Sequence, residues 1–144
     1  MTGAYPSEVV RVVSALLTPF IAMFGLYVIA HGHYGPGGGF AGGVVLGVAA
    51  ILPRLVLDDR LAYGSVSVTA GTLAGTLGML AFVVIGLVPL AFGGAFLDYA
   101  AVEIAGVEAS RLRYLGILVA EVAIGFAVFG AMVLVFDALV GKVR

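Results

Sequence analysis

Glu121 is the one charged residue in the run Leu115–Phe136, and a carboxyl group there is the first place to look for chemistry. An acid inside an apolar helix costs a few kcal/mol on insertion scales, so it must face protein or water. Two readings stay open. The carboxyl group carries a proton or cation along an intramembrane path, or it is a protonated Glu hydrogen-bonded to a neighbouring helix. His31 and His33 are the second feature, two imidazoles at the end of the first apolar run. Histidine titrates near neutral pH, which suits a proton relay or a gate. The plainer reading is a pair of interfacial rings hydrogen-bonded to the carbonyls of the glycine loop that follows. A metal site is not expected, because two histidines without a third ligand are too few.

Immediately after them runs Gly35-Pro36-Gly37-Gly38-Gly39-Phe40-Ala41-Gly42-Gly43. Gly37, Gly39 and Gly42 form a formal G-x-G-x-x-G. A dinucleotide fingerprint needs a preceding strand and a βαβ unit, whereas an apolar helix-length run precedes this one. No Gly-Lys-Ser/Thr follows, so a phosphate-binding loop is excluded as well. The glycines instead let the chain turn sharply and bring backbone close to a neighbour. Gly39, Gly43 and Gly47 recur every four residues, and Gly71 and Gly75 repeat the spacing in the next run. This is the small-xxx-small pattern of tightly packed membrane helices. An exposed backbone that coordinates an ion or water is the alternative use.

The elements that must position these residues follow from composition. Of 144 residues, 62% are hydrophobic and only 10% charged, against about 25% charged in a soluble domain. A water-soluble fold of this size could not hide that surface; lipid removes the need. Four apolar stretches can be read, roughly 12–30, 39–57, 66–92 and 114–136, each near the ~20 residues that cross a bilayer as helix. Four segments cannot close a barrel, so the expected class is an all-α integral membrane protein of four transmembrane helices, a single transmembrane domain over 1–144. Pro53 and Arg54 interrupt the second stretch, which is expected to finish near Leu52 with Arg54 at the headgroups. Pro89 is expected to end or kink the third. The first run is too long for a signal-peptide core and is expected to be retained.

Arg11, Arg54, Arg60, Lys142 and Arg144 fall on one side of this arrangement, and Arg111 and Arg113 on the other. The split places both termini in the cytoplasm, with Asp58, Asp59 and Arg60 in a cytoplasmic hairpin. The loop from about Gly93 to Arg113 then faces outward, with a short interfacial helix expected within Leu97–Ala105. Trp is absent, so Tyr5, Tyr27, Tyr34, Tyr63, Tyr99 and Tyr114 must supply the interfacial belt. Asp137, at the cytoplasmic end of the fourth run, is expected to be a solvated end residue.

Several classes drop out. Cysteine is absent, which removes disulfides, thiolate metal sites and iron–sulfur clusters. A net charge of −1 without a basic stripe argues against nucleic acid. No nucleophile–base–acid set is present, so neither an enzyme nor a cofactor is expected. One buried acid and no paired broken helices are too little for a self-sufficient transporter, and the chain reads as a subunit.

His31-Gly32-His33, with Pro36-Gly37-Gly38-Gly39-Phe40 and Gly42-Gly43, resembles the MnhB-type small subunit of multisubunit Mrp sodium/proton antiporters. The likeness extends over nearly the whole chain, including the acid of the last span followed by Ile124-Gly125. It implies a small multi-pass subunit in a prokaryotic cell membrane, without transport activity alone. It would pack beside large subunits that resemble the antiporter-like subunits of respiratory complex I and help form the path for Na+ and H+. One departure stands out: Glu121 occupies the last span where that family often carries Asp. Charge is kept and the reach grows by one methylene. Related modules in membrane-bound hydrogenases and respiratory complexes give a second function class, and a purely structural scaffold gives a third.

Overall fold

A computed structural model of the chain describes residues 7–34, 38–56, 66–104 and 106–141. Four helices carry it: α1 (Glu8–His31), α2 (Gly38–Val56), α3 (Val68–Leu87) and α4 (Ala109–Gly141). The segments Glu8–His31, Gly38–Val56, Val68–Phe92 and Ala109–Val140 are each long and apolar enough to cross a membrane. In lipid a helix satisfies its own backbone, which is why these apolar runs can take no open-sheet form. The expected hairpin charges Asp58, Asp59 and Arg60, the loop residues Pro36 and Gly37, and Tyr5 and Tyr63 lie outside the described residues.

The ends of the helices follow local chemistry, with three departures from expectation. α2 does not stop near Leu52 but runs through Pro53 to Val56. A proline inside a membrane helix is tolerated where neighbours satisfy the freed backbone groups, and α1 carries Pro19 in the same way. α3 starts at a Ser67 cap whose side chain accepts from the Ala70 amide at 3.1 Å. It ends at Leu87, and Pro89 opens a 3-10 turn over Val88–Phe92. Gly93, with φ +80°, closes that turn in the left-handed region that glycine tolerates. α4 is longer than the apolar run alone, 33 residues or about 50 Å, and so overreaches a hydrocarbon core of about 30 Å.

The third departure is the α3–α4 connection. Leu97–Ala105 is not a helix: the described part holds a single 3-10 turn, Tyr99–Ala101. Instead the loop folds back onto the helix ends. The Leu97 amide donates to the Gly86 carbonyl at 3.1 Å, and Leu97 itself takes φ +67°. Phe96 packs where a side chain on Gly86 would be and meets Phe82 edge-on at 6.3 Å. Tyr99 lies over Gly116 of α4 and is buried.

The helices stand in the order α1–α2–α4–α3. α1 packs on α2, α2 on α4 and α4 on α3, while α1 and α3 do not touch among the described residues. The result is a row rather than a closed four-helix bundle. Phe20, Met23, Phe24 and Tyr27 of α1, and Leu73, Leu77, Leu80 and Val84 of α3, remain exposed at its margins. In a bilayer these surfaces face lipid or other membrane helices.

Candidate functional site

Glycine sets the spacing within the row. On the α2–α4 face, a Cβ on Gly43 would lie 2.5 Å from the Gly125 carbonyl, and one on Gly47 would lie 2.7 Å from the Met132 Cβ. On the α3–α4 face, a Cβ on Gly71 would lie 2.6 Å from Val133, and one on Gly78 2.5 Å from the Ala127 amide nitrogen. Gly75 stands against Gly130. The Gly39, Gly43, Gly47 stripe therefore does pack, and it does so against α4. Gly71 and Gly75 pack against the other side of the same helix.

That packing brings Glu121 to Gly32, Gly38 and Gly39. Its backbone abuts Gly39, the second residue of α2. Its carboxyl oxygen Oε2 occupies the space a side chain would need on Gly32, just past the end of α1, and lies 3.0 Å from where a Cβ on Gly38 would be. Gly32 and Gly38 are themselves in backbone contact. The acid of the last span is thus set between the end of α1 at Gly32 and the start of α2 at Gly38, and the absence of two side chains makes the room. Gly42 and Gly43 extend the same seam: Gly42 meets Ile29 and the Gly25 carbonyl, and Ile29 also lies over Gly125.

His31 is placed differently. His31 is exposed, and its Nδ1 donates to the Tyr27 carbonyl one turn back, at 3.2 Å. That bond leaves Nε2 as the ring's outward nitrogen. The ring stacks on Tyr27 with centroids 4.2 Å apart and stands 6.5 Å from that of Tyr34. The expected bond to a glycine-loop carbonyl is therefore replaced by one within α1, because the ring follows the outer face of the helix. The side chain of His33 lies outside the described residues. Phe40 is exposed at the first turn of α2. Among the described residues no cluster of three His, Asp or Glu side chains could hold a metal ion.

At the other end of the α2–α4 pair stands a polar contact that sequence reasoning missed. Asp137 is not a solvated end residue but is paired with Arg54. Arg54 Nη1 donates to both carboxylate oxygens of Asp137 at 3.0 Å, and its Nη2 donates to the Val66 carbonyl. The two side chains are only 14% and 26% exposed. Opposite charges near the same ends of two apolar runs were the available signal, but which helices are neighbours is not written in either run.

Comparison with known proteins bears on what such a row can be. A family model described as a domain related to the MnhB subunit of Na+/H+ antiporter matches residues 9–134. Similar proteins named antiporter subunit mnhB2 occur in Staphylococcus haemolyticus (strain JCSC1435), 31% identical over 133 residues, and in Staphylococcus aureus. The MRSA252 protein of the latter is 30% identical over 133 residues, and the strain Newman protein 31% over 134. Each match covers 92% of this chain and 94% of the relative. No solved structure matches the chain. With four membrane-crossing helices and a family match over nearly its whole length, the chain belongs to the MnhB family of Na+/H+ antiporter subunits.

Proposed function

We propose that this chain is a small subunit of a multisubunit sodium/proton antiporter, driven by the proton motive force in a prokaryotic cell membrane. In that assembly it lines part of the cation path at Glu121. The observation that carries this reading is the seating of the Glu121 carboxyl against Gly32 and Gly38, within a helix long and apolar enough to span a bilayer. An acid there is retained against a cost in insertion, and Gly32 and Gly38, without side chains, leave room for the carboxyl group. A carboxylate is a ligand suited to Na+, and the same group can take a proton instead. Membrane partners, complex I-like large subunits among them, would complete the path along the exposed margins of α1 and α3. The Lys/Arg split supports cytoplasmic termini.

Glu121→Gln tests the assignment, because Gln keeps the size and hydrogen-bonding capacity of a protonated Glu but cannot ionise. Antiport is measured in membrane vesicles over a range of pH and sodium concentration, with the amount of complex checked in the same membranes. Loss of antiport at normal complex content is the expected result. Wild-type antiport at every condition would remove Glu121 from the path and leave the subunit a scaffold.

A further inference from the structure

The Glu121 seat and the Arg54–Asp137 contact lie at opposite ends of one helix pair. Gly38 and Arg54 are sixteen residues apart on α2, and Glu121 and Asp137 are sixteen apart on α4, about 24 Å in each helix. The two helices run parallel, since Gly39, Gly43 and Gly47 meet Glu121, Gly125 and Met132 in that order. Equal intervals on parallel rods mean that one axial alignment satisfies both ends together.

Between those ends α2 offers glycines. Helices normally lock axially because ridges of side chains enter grooves on the partner. Gly39, Gly43 and Gly47 have no side chains to form such a ridge, so this face gives close approach with little resistance to sliding. A directional contact has to supply the hold. Arg54 has it: a guanidinium shared between the Asp137 carboxylate and the Val66 carbonyl, which lies just ahead of the Ser67 cap of α3. Three chain segments are tied at one mostly buried charge pair. Fixing register is the best-attested use of such groups.

We infer that the Arg54–Asp137 pair sets the axial register of α2 against α4 and so holds the Glu121 carboxyl against Gly32 and Gly38. Arg54 and Asp137 are positioning residues that touch no transported ion. A slip of one turn, about 5.4 Å, would bring Gly39 or Gly47 opposite Gly125 and carry the carboxyl group away from Gly32 and Gly38. The positional claim stands on the geometry alone; its consequence for antiport rests on the function proposed for Glu121.

The absence of cysteine allows the register to be read directly. Nitroxide labels at Ala41→Cys near the start of α2 and Leu139→Cys near the end of α4, both at exposed positions, report the axial offset in the intact complex by pulsed electron resonance. With the native pair, one narrow distance is expected. Arg54→Gln should broaden it or move it by about one helical turn, roughly 5 Å, and should lower antiport. Arg54→Asp combined with Asp137→Arg should restore the narrow distance and part of the antiport. If the Gln variant does not accumulate, Arg54→Lys keeps the charge but cannot fork between two acceptors, and the same broadening is expected. An unchanged narrow distance in either variant would overturn the inference. A shifted distance with wild-type antiport would uphold the register role and count against the ion-path role of Glu121.

Discussion

Replacing Gly43 by Ala adds one methyl group where α2 meets the backbone of α4. That Cβ would lie 2.5 Å from the Gly125 carbonyl oxygen, 2.9 Å from the Val128 Cβ and 3.1 Å from the Gly125 Cα. Two of the three obstacles belong to backbone, which cannot rotate away. Favourable contact begins near 3.5 Å, so the helices must part by roughly 1 Å, a gap that forfeits about a quarter to a half of the attraction between facing atoms. Overpacking of this kind costs about 1–3 kcal/mol, and the gain in helix propensity from Gly to Ala returns up to about 1 kcal/mol. A net loss of about 1–2 kcal/mol corresponds to roughly a 5- to 30-fold change in an equilibrium constant. Gly75→Ala is the internal comparison. Its Cβ would lie 3.2 Å from the Gly130 Cα and 3.4 Å from the Gly130 carbonyl carbon, a misfit of a few tenths of an ångström that the propensity gain offsets. The assay is the yield and thermal midpoint of the solubilised complex carrying each variant, with Gly43→Leu as the severe case. Equal behaviour of Gly43→Ala and Gly75→Ala would refute the argument that backbone contact at Gly43 sets the helix spacing.

Two further outcomes are expected. A membrane-impermeant thiol reagent applied from outside should label Gly35→Cys and spare Asp59→Cys, and the reverse pattern would invert the orientation read from the Lys/Arg split. Tyr99 is only 6% exposed, and its hydroxyl has no hydrogen-bond partner among the described residues; burial raises its phenol above the usual value of 10.0. The docked loop therefore holds that proton more tightly than an undocked one, so docking is constant at lower pH and weakens as pH rises beyond about 10. Tyr99→Phe keeps the ring over Gly116 and should abolish that alkaline loosening. Limited proteolysis of the α3–α4 loop from about pH 8 to about pH 11 reads it, and identical profiles for the two proteins would refute it.

Much of the candidate site was visible as residue types, and little of it as geometry. Glu121 stood out because a lone acid in an apolar run is costly, and the glycines because their four-residue spacing lines one helical face. The pairing of the two required knowing that α4 lies beside α2. The misreadings of Asp137 and of Leu97–Ala105 have one origin: each assumed that a polar or irregular segment near a membrane surface meets solvent. Asp137 meets Arg54 from a residue 83 positions away, and the loop turns back so that Phe96 and Tyr99 fill the gaps left by Gly86 and Gly116. His31 was correctly placed at the end of α1, but its ring direction depends on the bond to Tyr27 and the stacking along that face.

By itself the sequence determined the solvent, the number of apolar spans and their approximate ends, because insertion into lipid is governed by local hydropathy and by proline and glycine along the chain. It also determined which faces could approach closely, since a missing Cβ is a property of one residue. The tertiary structure alone decided the order α1–α2–α4–α3, the openness of the row, the seating of Glu121 against Gly32 and Gly38 and the Arg54–Asp137 contact. In lipid, apolar helix faces are nearly equivalent to one another, so hydropathy does not choose between neighbours. That choice falls to shape and to a few directional polar contacts, and these exist only once residues far apart in the chain are brought side by side.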